Sequence, residues 1–217
     1  MNNKMIVVDG VDGCGKGVQT RRLHQAFVDA GYQAILTREP GGSAAAEDIR
    51  KLLVEGEPEK WDSMTELLLM YAARRSHLND TIYPALKSGK WVISDRFADS
   101  SRAFQGIAGE LGLAVVEKVH QIAVGSFQPD LVVILDITET VALKRAVGRG
   151  GVEDRFEKKG EDYQSKVRQA FLQIAKRDEK RYQVIDANRS IDEVSEDIID
   201  TLNQRFQLSL ALEPGFQ

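Results

Sequence analysis

Apolar residues gather in five short runs, each closed by a charged residue: MIVVD (Met5–Asp9), AILTR (Ala34–Arg38), WVISDR (Trp91–Arg96), LVVILD (Leu131–Asp136) and YQVID (Tyr182–Asp186). Each has strand length and is rich in β-branched residues. Continuous apolarity, rather than strict alternation, predicts strands covered on both faces of a parallel sheet. Between the runs, apolar positions recur at helical spacing. Lys16–Ala30 carries Leu23, Phe27 and Val28 and stops at Gly31, a suitable residue just past a helix end. Trp61–Leu86 is a long helical pattern that Pro84 is expected to kink or end. Leu113–Val124, Thr138–Val147 (capped by Thr138), Asp162–Arg181 and Ile191–Phe206 complete the set.

Strands alternating with helices predict an α/β fold, a five-stranded parallel sheet with helices on both faces. Ligands in such folds bind beyond the carboxyl ends of the strands. The charged residues that close the strands, Asp9, Arg38, Asp95, Arg96, Asp136 and Asp186, are therefore expected along one edge.

Composition narrows the reading. The 217 residues are 42% hydrophobic and 29% charged, with a net charge of −4. The charge gives a general polyanion-binding role no global support, so phosphate affinity must come from local arginines. Residues 1–206 read as one domain and residues 207–217 as a tail expected to fray. The single cysteine, Cys14, cannot form an internal disulfide and points to a reducing cytoplasm. The N-terminal apolar run is too short for a signal or membrane segment, so no membrane partner is expected, and no nucleic acid.

The stretch GVDGCGKG, from Gly10 to Gly17, follows the first strand and opens a helix, the context of a phosphate-binding loop of pattern G-x-x-x-x-G-K-[ST]. The backbone of Gly10, Val11, Asp12, Gly13, Cys14, Gly15, Lys16, Gly17 and Val18 is expected to cradle the phosphates of ATP, aided by the helix N-terminus. Lys16 neutralises them. Gly17 departs from the pattern: no hydroxyl stands where one usually binds magnesium, and Val18 supplies none. Thr20, almost a turn further on, is not expected to reach. Water can fill the vacant position, so phosphate binding is expected to survive with looser metal placement.

Four further stretches narrow the class: TREPGG (Thr37–Gly42), LLLMYAARRSHL (Leu67–Leu78), SDRFADSSRAFQG (Ser94–Gly106) and GRGGVEDRFE (Gly148–Glu157). With the loop, and in this order, they make the chain resemble the thymidylate kinase family, bacterial type, from about Met5 to Asn188. The resemblance implies a P-loop kinase fold with a short lid at about residues 145–160. It also implies transfer of the γ-phosphoryl group of ATP to dTMP with Mg2+, and a homodimer.

The same resemblance distributes roles. Asp12 matches a carboxylate near the acceptor's sugar hydroxyl and phosphate. Arg38, Arg50 and Arg96 match arginines that hold the acceptor phosphate, a task suited to bidentate guanidinium groups. Arg74 matches the residue that reads the thymine edge, while Arg75 points elsewhere. Met70 falls where relatives commonly place an aromatic against the base; a core methionine is the alternative. Ser101, Phe104 and Gln105 fall in the segment closing over the nucleoside, and Phe104, often tyrosine in relatives, suits a site that crowds a ribose 2′ hydroxyl. Asp95 is the expected magnesium carboxylate, with Asp136 its rival by pattern alone. Gly13 stands where other relatives carry a catalytic arginine; here the lid offers Arg145, Arg149 and Arg155. Arg149 is favoured for catalysis, and Arg155 is expected either to hold ATP phosphate or to pair with Glu153 or Asp154. His24, His77 and His120 lack metal-ligand spacing. Two other readings stay open: a kinase for another or modified deoxynucleotide, and a nucleotide-binding protein with little catalysis.

Overall fold

The computed structural model describes residues 4–138, 140–142 and 155–212. All five expected strands form: β1 (Met5–Asp9), β2 (Ala34–Arg38), β3 (Trp91–Asp95), β4 (Leu131–Asp136) and β5 (Tyr182–Asp186). They pair in parallel in the order β2-β3-β1-β4-β5. This order explains one departure from the uniform pattern. The three inner strands are buried almost throughout, whereas β2 and β5 lie at the edges and are half open, with Leu36 and Val184 exposed. An edge strand has sheet on one side only, so its apolar run is covered incompletely.

The register aligns the carboxyl ends. Arg38 and Val8 both pair with Asp95, Asp9 with Ile134, and Asp136 with Asp186. The charged ends do share one edge of the sheet.

Helices flank the strands, among them α1 (Lys16–Asp29), α2 (Ala44–Val54), α3 (Ser63–His77), α4 (Tyr83–Lys87), α5 (Ala98–Ser101), α6 (Leu113–Ala123), α7 (Glu161–Ala175) and α8 (Ile191–Phe206). Helix α1 packs on α8 and the sheet, while α7 packs on β4, β5 and the 102–108 turn. Helix α2 was not legible, because Ala44–Val54 offers only Leu53 and Val54 as large buried residues. The long pattern ending near Leu86 splits. At Leu78–Ile82 the helix widens to a π turn in which Tyr83 N–H donates to Leu78 O, and α4 then begins with Pro84 in its first turn. Proline there needs no N–H donor, so the chain neither ends nor breaks at it.

The tail also differs from expectation. Leu210 is buried, and the Asn203 side chain bonds its backbone in both directions, accepting from Leu210 N at 2.8 Å and donating to Leu210 O at 3.0 Å. Residues 207–212 are thereby docked on α8. No helix among the described residues is long and apolar enough to cross a membrane.

Candidate active site

A cavity of about 700 Å³ opens at the carboxyl edge. The loop between β1 and α1 lines its middle. One end is lined by Arg38, Arg50, Met70, Arg74, Ser101, Phe104 and Gln105; the other by Ala187, Arg189, Ser190, Ile191 and Val194. The first end gathers the residues expected at an acceptor site. The second was not foreseen, because it is built by the turn after β5 and the start of α8, which carry no motif of their own.

Lys16 is buried in the loop, its Nζ donating to Val11 O at 2.7 Å and Gly10 O at 3.1 Å, with Asp12 Oδ1 at 3.9 Å. Gly13 has φ +81°, and a Cβ there would lie 2.2 Å from the carbonyl oxygen of Ala142. Only glycine fits, so the loop position where other relatives carry arginine is sterically closed in this chain. Gly17 is different. A Cβ built on it meets Arg21 Nη1 at 3.5 Å and Asp95 Oδ2 at 3.6 Å, ordinary contact distances. The side of α1 that lacks a hydroxyl thus faces the carboxylate assigned to the metal. Thr20 turns its hydroxyl back onto Lys16 O at 3.0 Å, away from that role. Asp136, the rival carboxylate, is held by Arg168 at 2.6 and 3.1 Å and does not line the cavity.

Arg96 links the loop to the acceptor end. Its Nη2 donates to Asp12 Oδ1 at 2.5 Å, and its Nη1 to Gly10 O, Ser100 Oγ and Asp9 Oδ1 at 2.9, 3.0 and 3.2 Å. Its guanidinium stands 5.2 Å from the centre of the Phe104 ring. Burial opposes the charge on Arg96, but Asp12, Asp9 and Asp95 outweigh it and raise its pKa. Asp9 shows the reverse balance. Fully buried, its carboxyl is pushed up to about 6 by desolvation, which Arg96, Ser100 and Lys16 offset only in part.

Arg74 is almost completely buried and fixed on three sides. Its Nε donates to Glu39 Oε2 at 2.7 Å, Nη1 to Ser101 Oγ at 3.1 Å and Nη2 to Phe97 O at 3.0 Å. Hydrogens on Nη1 and Nη2 remain for a ligand. Glu39 was not singled out from the sequence, although TREPGG contains it. It also bonds His77 Nδ1 at 3.0 Å, and Thr37 Oγ1 lies 2.6 Å from His77 Nε2. A buried carboxylate of this kind sets the guanidinium plane. His77 is therefore a satisfied buried residue, whereas His120 meets the Tyr71 hydroxyl at Nδ1 and its buried Nε2 has no partner among the described residues. Arg38 pairs with Glu47 at 3.1 Å, and Arg50 donates to Pro40 O at 2.7 Å. Arg75 caps α6 instead, donating to Ala123 O. Phe104 packs edge-on against Phe156 and Phe171, and Tyr163 donates to its carbonyl.

Arg155 departs from expectation. It is fully buried, does not line the cavity, and is bound by Glu66 at 2.7 Å and by the carbonyl oxygens of Leu53, Glu57, Pro58 and Trp61. Pairing with Glu153 or Asp154 was the sequence-based alternative to phosphate binding; the partner is a residue on α3, 89 positions away in the chain. Arg145 and Arg149, and most of the expected lid, lie outside the described residues.

A parallel sheet in this order, a phosphate loop between β1 and α1, and a basic pocket beside it define a P-loop kinase fold that accepts two phosphorylated ligands in one cavity. The chain matches the thymidylate kinase family profile over residues 8–198. The thymidylate kinase of Dinoroseobacter shibae is 48% identical over 197 residues, covering 90% of this chain and 94% of the relative. That of Caulobacter vibrioides is 44% identical over 203 residues, covering 94% and 97%. The crystal structure of thymidylate kinase from Ehrlichia chaffeensis superposes with a TM-score of 0.76 at 28% identity, covering 93% of this chain and 100% of that one. The chain belongs to the thymidylate kinase family, and it is a nucleoside monophosphate kinase, a phosphotransferase.

Proposed function

We propose that this chain transfers the γ-phosphoryl group of ATP to dTMP, giving dTDP and ADP for dTTP synthesis. An oxygen of the dTMP phosphate attacks the γ-phosphorus. The bond from that phosphorus to the β,γ-bridging oxygen breaks, and its electron pair leaves with ADP. The observation that supports this reading best is the single cavity, which joins the phosphate loop to a pocket containing a buried, pre-oriented arginine, Arg74.

The loop backbone and Lys16 take the ATP phosphates. The donor base then occupies the end lined by Ala187, Arg189 and Ile191, since the acceptor occupies the other. Arg96, with Arg38 and Arg50, receives the acceptor phosphate; Asp12 orients Arg96 through their 2.5 Å pair. Met70 and Phe104 flank the base and sugar, and Arg74 donates to the thymine edge. Arg149, outside the described residues, is the arginine we assign to charge developing on the transferring group.

The residues present fit magnesium. Asp95 offers a hard carboxylate oxygen beside Gly17 at the start of α1, and this ion is commonly held by one or two carboxylates together with substrate phosphates and water. Asp95 would hold it, and when bound it offsets charge on the phosphates. We further propose that the chain works as a homodimer in the cytoplasm.

A steady-state assay with ATP, magnesium and a panel of nucleoside monophosphates tests the assignment. dTMP should give the highest kcat/KM, with UMP poor. A preference for a purine monophosphate, or for another deoxynucleotide, would replace it.

A further inference from the structure

Glu66, the partner of Arg155, lies on α3 and is fully buried. Its Oε1 accepts from Arg155 Nη2 and from Lys159 Nζ, both at 2.7 Å. Its Oε2 accepts from Gln105 Nε2 at 3.0 Å. Arg155 is itself fastened to the carbonyl oxygens of Leu53, Glu57, Pro58 and Trp61, so the carboxylate is held at Oε1 by an anchored guanidinium as well as by the Lys159 ammonium.

A carboxylate paired with two cations can only accept hydrogen bonds. Gln105 must therefore turn its NH2 group toward Glu66, which sends its carbonyl oxygen the other way. That oxygen, Oε1, is buried and has no hydrogen-bond partner among the described residues, and Gln105 lines the cavity. Ser101, which accepts from Arg74, sits one helical turn before Gln105 and lines the same end. The pocket thus combines guanidinium donors with one oriented acceptor.

We propose that Glu66 is a positioning residue for base selection: pinned by Arg155 and Lys159, it locks the Gln105 amide so that its oxygen, not its nitrogen, faces the acceptor base. The proposal rests on the reading of that end as a dTMP site. Thymine presents an N3–H donor beside the O4 acceptor, which complements Gln105 Oε1 and the Arg74 donors. Cytosine presents the inverse, an N3 acceptor beside an amino donor, and meets like against like. A site whose own polar groups are left unpaired by the wrong ligand discriminates strongly.

Glu66→Gln tests the lock. Arg155 and Lys159 hold the new amide oxygen, so its NH2 faces Gln105. Gln105 must then accept, and its own NH2 swings toward the base. The ratio of kcat/KM for dTMP over dCMP should fall by at least about tenfold, the scale of one reversed buried hydrogen bond, with KM for ATP unchanged. A merely structural role would lower both substrates alike and leave the ratio intact. Gln105→Met, which removes the acceptor and leaves Glu66 with its cations, should lower the ratio similarly. In the Gln105→Met background, Glu66→Gln should add nothing to the ratio. An unchanged ratio in Gln105→Met overturns the proposal even if Glu66→Gln fails to fold. An unchanged ratio in folded Glu66→Gln overturns it too. Wild-type protein that binds ATP but shows no preference for dTMP would instead remove the reading on which the proposal rests.

Discussion

At the residue scale, two buried titratable groups oppose each other. Asp9 is pushed up to about 6 by desolvation, so between its ordinary value and about pH 6 the folded chain binds a proton that the unfolded chain has released. Stability from this group falls as pH rises through that window. His120 is pushed down to about 4 by desolvation and by Arg102 and Arg74. There the unfolded chain binds the extra proton, so stability rises with pH from about 4 to its ordinary value. The two slopes partly cancel in the intact protein. Asp9→Asn should make stability rise more steeply between about pH 4 and 6, and His120→Asn should make it fall. The change should approach 1.4 kcal/mol per pH unit for each group at most, about the limit for one proton. Denaturant midpoints across pH read both. Gly17 carries a second prediction. A serine there meets only ordinary contacts beside Asp95 Oδ2, so its hydroxyl is accommodated. Gly17→Ser should lower the free magnesium needed for half-maximal rate severalfold, while ATP affinity without metal stays unchanged. Superimposable magnesium curves would show that position 17 does not address the ion.

Elements meet at the loop, and there the decisive feature is a close approach. The carbonyl of Ala142 sits where a Cβ on Gly13 would be, so the residues after β4 close directly over the phosphate loop. Gly13→Ala combines a clash with a backbone carbonyl and a positive φ. It should cost at least about 2 kcal/mol and weaken ATP binding together with stability. Thermal melting with and without ATP checks this; an alanine variant that melts like the parent and binds ATP normally would mean the 140–142 stretch yields freely.

On the scale of the whole molecule, α3 and α6 lie side by side, tied by Arg75 and Ala123 O. They leave Met64, Leu68 and Ile122 exposed, Ile122 at 87%. Exposed large apolar residues on adjoining helices suit an interface between copies. Sedimentation should give twice the chain mass, and Leu68→Glu combined with Ile122→Glu should return it to one chain. A doubly substituted protein that still sediments as a dimer would place the contact elsewhere.

The sequence by itself determined the strands, the long helices and the phosphate loop, because each is written locally: in continuous apolar runs, in helical spacing, or in a motif of fixed length. It also placed the charged strand ends on one edge, since parallel strands share a direction. Tertiary structure alone decided the rest. Whether a strand is inner or edge depends on sheet order, which no single run encodes. Arg155 looked like a lid cation because its neighbours are glycines and charges, yet it is buried against Glu66 and four carbonyl groups. Glu39, Glu66 and the turn at Ala187–Ile191 were passed over for the complementary reason. Their partners lie far away in the chain, and a buried carboxylate or a bare turn carries no local mark of the guanidinium, amide or cavity that the fold brings to it.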